Sequence, residues 1–287
     1  MRIVKTIDEV RRQVKAWRAE GLTVGLVPTM GYLHQGHASL IAASHRDNDR
    51  TIVSDFVNPM QFGPSEDLES YPRDIEHDAA IVEENGGDLI FNPEPNEMYH
   101  DGFSSFVDMT VLTEELCGLS RPVHFRGVCT VVTKLFNIVQ PDRAYFGKKD
   151  AQQLTVIRHM VDDLNMDIEI VGCPIVREED GLAKSSRNTY LNPEERQAAL
   201  VLSKAVFHGI NMVIHGEKDC TVIISAMEDI INSEPLARID YVKIVDCSTM
   251  QIIPTLDRSA LCAIAVYIGT TRLIDNFFTE DAEGGTL

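Results

Sequence analysis

LTVGLVPT at 22–29, continued by MGYLHQGH at 30–37 and ASLIAAS at 38–44, is the stretch on which the reading of the fold turns. A β-branched, apolar run with no polar alternation reads as a strand buried on both faces. The run then meets Gly31 and Gly36 in a short loop and passes into a pattern of small and aliphatic residues that reads as a helix. His34 and His37 are three residues apart at the entry of that helix, so both rings can face one ligand beside unpaired backbone N–H groups that favour an anion. On spacing alone three readings stay open: two rings stabilising charge on a phosphate, half of a metal site, or two solvated polar side chains. Metal is the weaker of these, because neither H-E-x-x-H nor a cysteine pair supplies further ligands.

Outward from this junction, short β-branched runs recur as RTIVSDFV at 50–57, GDLIFNP at 87–93, RAYFG at 143–147 and DIEIVGCPIV at 167–176. Helical patterns lie between them. Leu154, Ile157, Val161 and Leu164 stripe one face of the segment 150–164. Alternation of this kind predicts an α/β fold, a Rossmann-like parallel sheet with helices on both faces, whose ligands sit at the carboxyl ends of the strands. After residue 176 the texture changes. A polar turn, REEDGLAKSSRN, precedes a helix capped by Asn192 with Pro193 at its first position and running toward His215. A helix near 221–232 and three strand-like runs, IDYVKIVD, LCAIAVYIG and TRLIDNFF, complete a smaller C-terminal α+β domain. The predicted division is 1–176 for nucleotide and substrate and 177–287 for a lid and dimer-associated domain; the tail TEDAEGGTL is expected to fray.

Composition narrows the function. Apolar residues make up 44% and charged residues 24%, which is the balance of an ordinary globular protein. A formal net charge of −18 repels polyanions, so nucleic acid is not expected as a partner and a phosphorylated ligand requires a local basic pocket. The six cysteines, Cys117, Cys129, Cys173, Cys220, Cys247 and Cys262, are scattered without framework spacing, which predicts free thiols and a cytoplasmic location. No apolar run is read as approaching the ~18 residues of a membrane span.

Three further segments carry chemistry. YFGKKD ends a strand with Gly147 followed by Lys148, Lys149 and Asp150, a turn suited to a phosphate or ribose and equally to plain solvation. KSSRN, Lys184 to Asn188, sets two cations around two hydroxyls, which can converge on phosphate oxygens or form a surface turn. Gln61 and Gln153 are neutral donors and acceptors, suited to a hydroxy acid. There is neither a Walker A loop nor G-x-G-x-x-G.

Taken together, PTMGYLHQGH, NPMQFGPSEDLESYPRD at 58–74, RPVHFRGVCTVVTKLFNIVQPDRAYFGKKDAQQ at 121–153 and LAKSSRNTYL at 182–191 resemble the pantothenate synthetase family of the H-x-G-H nucleotidylyltransferase superfamily. The resemblance implies an AMP-forming ligase that joins pantoate to β-alanine through pantoyl adenylate, with ATP and Mg²⁺; the alternative is another small-molecule nucleotidylyltransferase with the same signature. It implies catalytic roles for His34, His37, Lys149 and Arg187. The implied ATP contacts are Met30, Gly31, Tyr32, Leu33, His34, Gln35, Gly36 and His37, then Gly147, Lys148, Lys149 and Asp150, and finally Val176, Lys184, Ser185, Ser186 and Arg187. Gln61 and Gln153 would hold pantoate, with Met30, Phe56 and Phe146 facing its geminal methyls. Lys148 stands where many members carry Glu, and Lys184 where relatives often carry Met. No protein-bound metal is expected, no membrane, and a homodimer is implied.

Overall fold

The computed structural model describes residues 1–64 and 66–283. By packing, the chain divides into two compact units. The first comprises Met1–Thr110, Arg121–Lys148 and Gln153–Pro174, and the second Val111–Ser120, Lys149–Gln152 and Ile175–Leu287.

The elements run in the order β1 (Arg2–Val4), α1 (Ile7–Ala19), β2 (Val24–Thr29), α2 (Gln35–Asp47), β3 (Arg50–Asp55), α3 (Ile75–Glu84), β4 (Leu89–Phe91), α4 (Pro95–Met98), α5 (Cys117–Ser120), α6 (His124–Val139), β5 (Arg143–Gly147), α7 (Ala151–Asp163) and β6 (Glu169–Cys173). All six strands are parallel, in the order β1-β4-β3-β2-β5-β6. Strands added from β2 to β4 move one way across the sheet, and β5 and β6 move the other. Right-handed crossovers then place α2 and α3 on one face and α6 and α7 on the opposite face. The α2–α3 face is packed by Val27, Val53, Ile90 and Tyr145 of the sheet against Leu40, Ile41 and Val82 of the helices. The winding reverses between β2 and β5, and the crevice at such a switch point is where α/β sheets bind ligands. β2 delivers the H-x-G-H loop there, and β5 delivers Gly147.

β1 has no counterpart among the strand-like runs read from the sequence. Three residues are too short for a period-two signal, and only pairing with Leu89–Phe91 of β4 identifies them as a strand. α1 is started by a Thr6–Glu9 capping box.

The second unit contains α8 (Pro193–Ala198), α9 (Leu200–Ile214), α10 (Cys220–Asn232), β7 (Ala237–Asp246), β8 (Ala260–Ile268), β9 (Thr271–Phe278) and α11 (Thr279–Glu283). β7-β8-β9 form an antiparallel sheet with a bulge at Ile239/Tyr241. Its core joins Leu202, Val206 and Ile210 of α9 and Ile223, Met227 and Ile231 of α10 to Ile244, Ile264 and Val266 of the strands.

Three sequence expectations change. The helix begun by Asn192 is interrupted at Ala199 instead of continuing unbroken toward His215. Pro193–Ile214 is, by length and composition, apolar enough to cross a membrane, contrary to the reading that no run approaches that length; half of it is buried, and α9 supplies much of the unit's core. The first part of the tail is helical, as α11, with residues 284–287 outside the described residues. All six cysteines are free.

Candidate active site

Gly31 lies at φ +80° and Tyr32 at φ 50°, so the chain reverses sharply between β2 and α2. His34 then serves as the N-cap of α2. Its Nδ1 accepts the Gly36 N–H at 3.1 Å, and the His34 N–H is donated in turn to His37 Nδ1 at 3.2 Å. This is a capping box built from two imidazoles in place of the usual hydroxyl and carboxylate. A ring nitrogen that accepts carries no hydrogen, so the bonds assign both rings the tautomer with hydrogen on Nε2. The rings lie 4.1 Å apart between centroids. Two Nε2–H donors thus stand together at a helix N-terminus, where the dipole and open N–H groups favour negative charge.

Glycine between the histidines has a steric cause. A Cβ on Gly36 would sit 2.8 Å from His34 Cε1 and 2.9 Å from its Nδ1, inside the ring's own space. Gly36→Ala is therefore expected to displace the His34 ring and lower turnover roughly tenfold or more while the fold persists, since displacements near 1 Å cost up to about 10²-fold. Steady-state kinetics beside circular dichroism checks this; unchanged turnover would mean that the ring position is immaterial.

Gln61 sits on a one-turn 3₁₀ helix, Pro59–Gln61, capped by Asn58. It is only 7% exposed. Asn58 Nδ2 donates to Gln61 Oε1 at 3.0 Å and to Gly127 O at 3.1 Å, and Asn58 Oδ1 accepts from Tyr99 OH at 2.7 Å. The Gln61 amide is thereby oriented with its oxygen toward Asn58 and its Nε2 toward Met30 Sδ, 3.1 Å away. Arg121 grips the Glu66 carboxylate and also reaches His124 Nε2 at 3.2 Å, while His124 Nδ1 donates to Gln61 O at 3.1 Å. Burial pushes the Glu66 carboxyl up, but the Arg121 guanidinium outweighs it and holds the group below its usual range. Arg126, two residues beyond His124, lies over the Phe106 ring at 4.1 Å. Phe56 and Phe146 are buried, and Gln153 is half-buried in the first turn of α7.

Of the remaining candidates, Gly147 and Lys148 belong to the first unit, at the end of β5, and Lys149, Asp150, Val176, Lys184, Ser185, Ser186 and Arg187 belong to the second. Lys184 N donates to Val176 O at 2.9 Å, and Glu178 N donates to Leu182 O at 2.8 Å, which makes 176–184 a tight hairpin turned at Gly181. Arg177 anchors it to Asp275 with bonds of 2.7 and 3.0 Å. Ser185 caps a 3₁₀ helix, Ser186–Tyr190, by accepting the Arg187 N–H. Lys184 is paired with Glu178 at 2.8 Å, an occupation that the sequence did not suggest. Lys149 lies 3.7 Å from Asp150, and its carbonyl accepts from Asn276 Nδ2 of β9 at 2.7 Å.

A sequence profile of the pantoate-beta-alanine ligase family matches residues 2–278. The chain belongs to the pantoate-beta-alanine ligase family. It is 66% identical over 277 residues to the pantothenate synthetase of Ruminiclostridium cellulolyticum, covering 96% of this chain and 98% of the relative. It is 59% identical over 280 residues to that of Enterococcus faecalis, covering 98% and 99%. Among solved structures, pantothenate synthetase from Thermus thermophilus superposes with a TM-score of 0.91 at 45% identity, covering 97% of this chain and 99% of that one. The Francisella tularensis pantoate-beta-alanine ligase, complexed with β-γ ATP and β-alanine, superposes with a TM-score of 0.78 at 32% identity, covering 98% of each chain.

Sequence reasoning about the ligase passed over Asn58, Tyr99, Asp55 and Asp78. Asn58 carried a readable signal, since an Asn before Pro is a cap pattern. Asp55 was readable as the acidic residue inside a β-branched run. Tyr99 and Asp78 had no local mark and are assigned by their long-range partners.

Proposed function

We propose that the chain condenses (R)-pantoate with β-alanine in two steps on one ATP. The pantoate carboxylate attacks the α-phosphorus in line and displaces pyrophosphate; the β-alanine amine then attacks the pantoyl adenylate, and AMP leaves. The observation that carries the reading is the double-imidazole capping box, a pair of Nε2–H donors at a helix N-terminus in a chain of this ligase family. Such donors need no reorganisation as charge develops on phosphate oxygens, and catalysis of phosphoryl-type transfer rests chiefly on that and on positioning.

In this reading His34 and His37 donate to the phosphates together with the amides of the 30–37 loop. Lys149 and Arg187 supply positive charge, and Gly147, Lys148, Asp150, Val176, Lys184, Ser185 and Ser186 line the nucleotide. Gln61, held by Asn58, presents its Nε2–H groups to oxygens of pantoate, with Gln153 as second amide and Met30, Phe56 and Phe146 beside the geminal methyls. Magnesium enters as part of the nucleotide substrate: among the described residues no group of three or more His, Cys, Asp or Glu gathers to hold a metal, and Mg²⁺ is commonly held through substrate phosphates. A cytoplasmic homodimer completes the proposal; six free thiols support the compartment.

The test is release of AMP and pyrophosphate by purified protein given ATP, Mg²⁺, D-pantoate and β-alanine, leaving out each component in turn. Exchange of pyrophosphate that needs only pantoate, with AMP release that needs both acids, is the expected result. Pyrophosphate release without pantoate, or with a phosphorylated acceptor instead, would transfer the chain to the wider nucleotidylyltransferase group.

A further inference from the structure

Beneath the H-x-G-H loop lie two carboxyl groups that the proposed chemistry does not use. Asp55 ends β3 and is 7% exposed; Asp78 lies in the first turn of α3 and is 1% exposed. Both converge on the backbone of Gly31: a Cβ built there would lie 2.3 Å from Asp55 Oδ1 and 3.2 Å from Asp78 Oδ2. Asp78 clamps the reversal itself, Oδ2 accepting the Tyr32 N–H at 2.7 Å and Oδ1 the Leu33 N–H at 2.6 Å. The next residue is His34, the imidazole cap.

Two adjacent buried carboxyls do not both ionise readily. Asp78, accepting two backbone N–H groups, is the one held as carboxylate, and Asp55, hydrogen-bonded to it, carries the proton. We propose that Asp55 and Asp78 are positioning residues for the adenylation step, a carboxylic acid donating to a carboxylate, and that the proton they share must be present for the Gly31–His34 segment to accept the nucleotide phosphates. The inference rests on the ligase reading above. Loss of the proton places a second negative charge under Gly31, where an anion is to bind, and removes the donor that satisfies Asp78.

Burial, and then the charge of Asp78, push Asp55 up to about 7, within the working range of a neutral cell. Burial likewise raises Asp78, against the opposing pull of the Leu33 and Tyr32 amides. Of the titratable side chains nearby, His77, whose Nε2 meets Leu33 O at 3.0 Å, draws Asp78 down, and Tyr32, whose N–H Asp78 accepts, is followed along the loop by His34 and His37. β2 and β4 contribute only neutral residues, and Asn92 Nδ2 donates to the Asp55 backbone oxygen at 2.9 Å.

The experiment is pantoate-dependent ATP–pyrophosphate exchange, run without β-alanine so that its amine does not titrate in the assay, from about pH 6 to 9. Expected for wild type is a fall in kcat/KM for ATP of about tenfold per pH unit above a break near neutrality. Asp55→Asn keeps a donor toward Asp78 and cannot ionise, so its profile loses that limb and at about pH 8.5 exceeds wild type roughly tenfold. Asp55→Ala, with no donor, lies below Asp55→Asn throughout. An alkaline limb that survives in Asp55→Asn at the same pH overturns the proposal, as does a flat wild-type profile. Should the variants fail to fold, infrared difference spectra of wild type decide: a protonated-carboxyl band that disappears as pH rises through neutrality supports the pair, and absence of the band at about pH 6 overturns it. If wild type shows no exchange at any pH, the ligase reading is what fails, and ATP affinity over the same range together with the infrared band still tests the pair.

Discussion

His37→Ala is expected to lower turnover by roughly 10²-fold or more, the scale on which losing one preorganised donor to a transition-state oxyanion is measured. The residue does two things that must be separated. Its Nδ1 accepts the His34 N–H at 3.2 Å and closes the cap of α2, and its Nε2 is left as the hydrogen-bearing nitrogen. Alanine removes both. The lost cap costs about 1 kcal/mol in stability, which a folded protein tolerates, so a small drop in melting temperature should accompany the large drop in rate. His37→Gln distinguishes the two contributions, because glutamine at that position of a capping box can reach back to the same N–H. Recovery of stability without recovery of turnover would assign the rate effect to the Nε2 donor. Near-wild-type turnover in folded His37→Ala would end the catalytic assignment.

Arg177→Met is expected to destabilise the second unit by about 3–5 kcal/mol, the usual cost of leaving one member of a buried ion pair alone. Asp275 is only 2% exposed and takes two bonds from the guanidinium, at 2.7 and 3.0 Å. Arg177 also donates to Gly181 O at 3.1 Å and lies over the Phe207 ring at 5.1 Å, so the substitution loosens the hairpin that precedes Lys184–Arg187 as well. Urea denaturation of the single variants and of Arg177→Met with Asp275→Leu gives the coupling directly. The double variant should recover much of the loss, since apolar replacement of both partners removes the stranded charge. A coupling below about 0.5 kcal/mol, the scatter of independent sites, would show that the pair is not what ties the hairpin down.

The difference between these two cases follows how each residue is specified. His34 and His37 were found in the sequence because a strand, a glycine-bearing loop and a helix start are all written within about twenty consecutive positions, and caps act between near neighbours. The same locality made β2, β3, β5 and the β7–β9 runs legible. It failed at β1, which has too few residues to show a period, and at Ala199, where a continuous apolar stripe conceals a break. Lys184 was legible as a cation but not as the partner of Glu178, because side-chain pairing across a hairpin depends on the register of its turn.

By itself the sequence determined the alternating α/β plan, the H-x-G-H junction with its two histidines, and the four segments that place the chain in its family. Tertiary structure alone decided that Asn58 and Tyr99 orient Gln61, that Asp55 meets Asp78 under Gly31, and that Arg177 finds Asp275 at a separation of 98 residues. The physical reason is range. Periodicity and capping are set by bonds between residues a few positions apart, whereas a buried polar group takes its partner from whichever strand or helix the sheet order brings beside it, and its desolvation makes that one partner decisive.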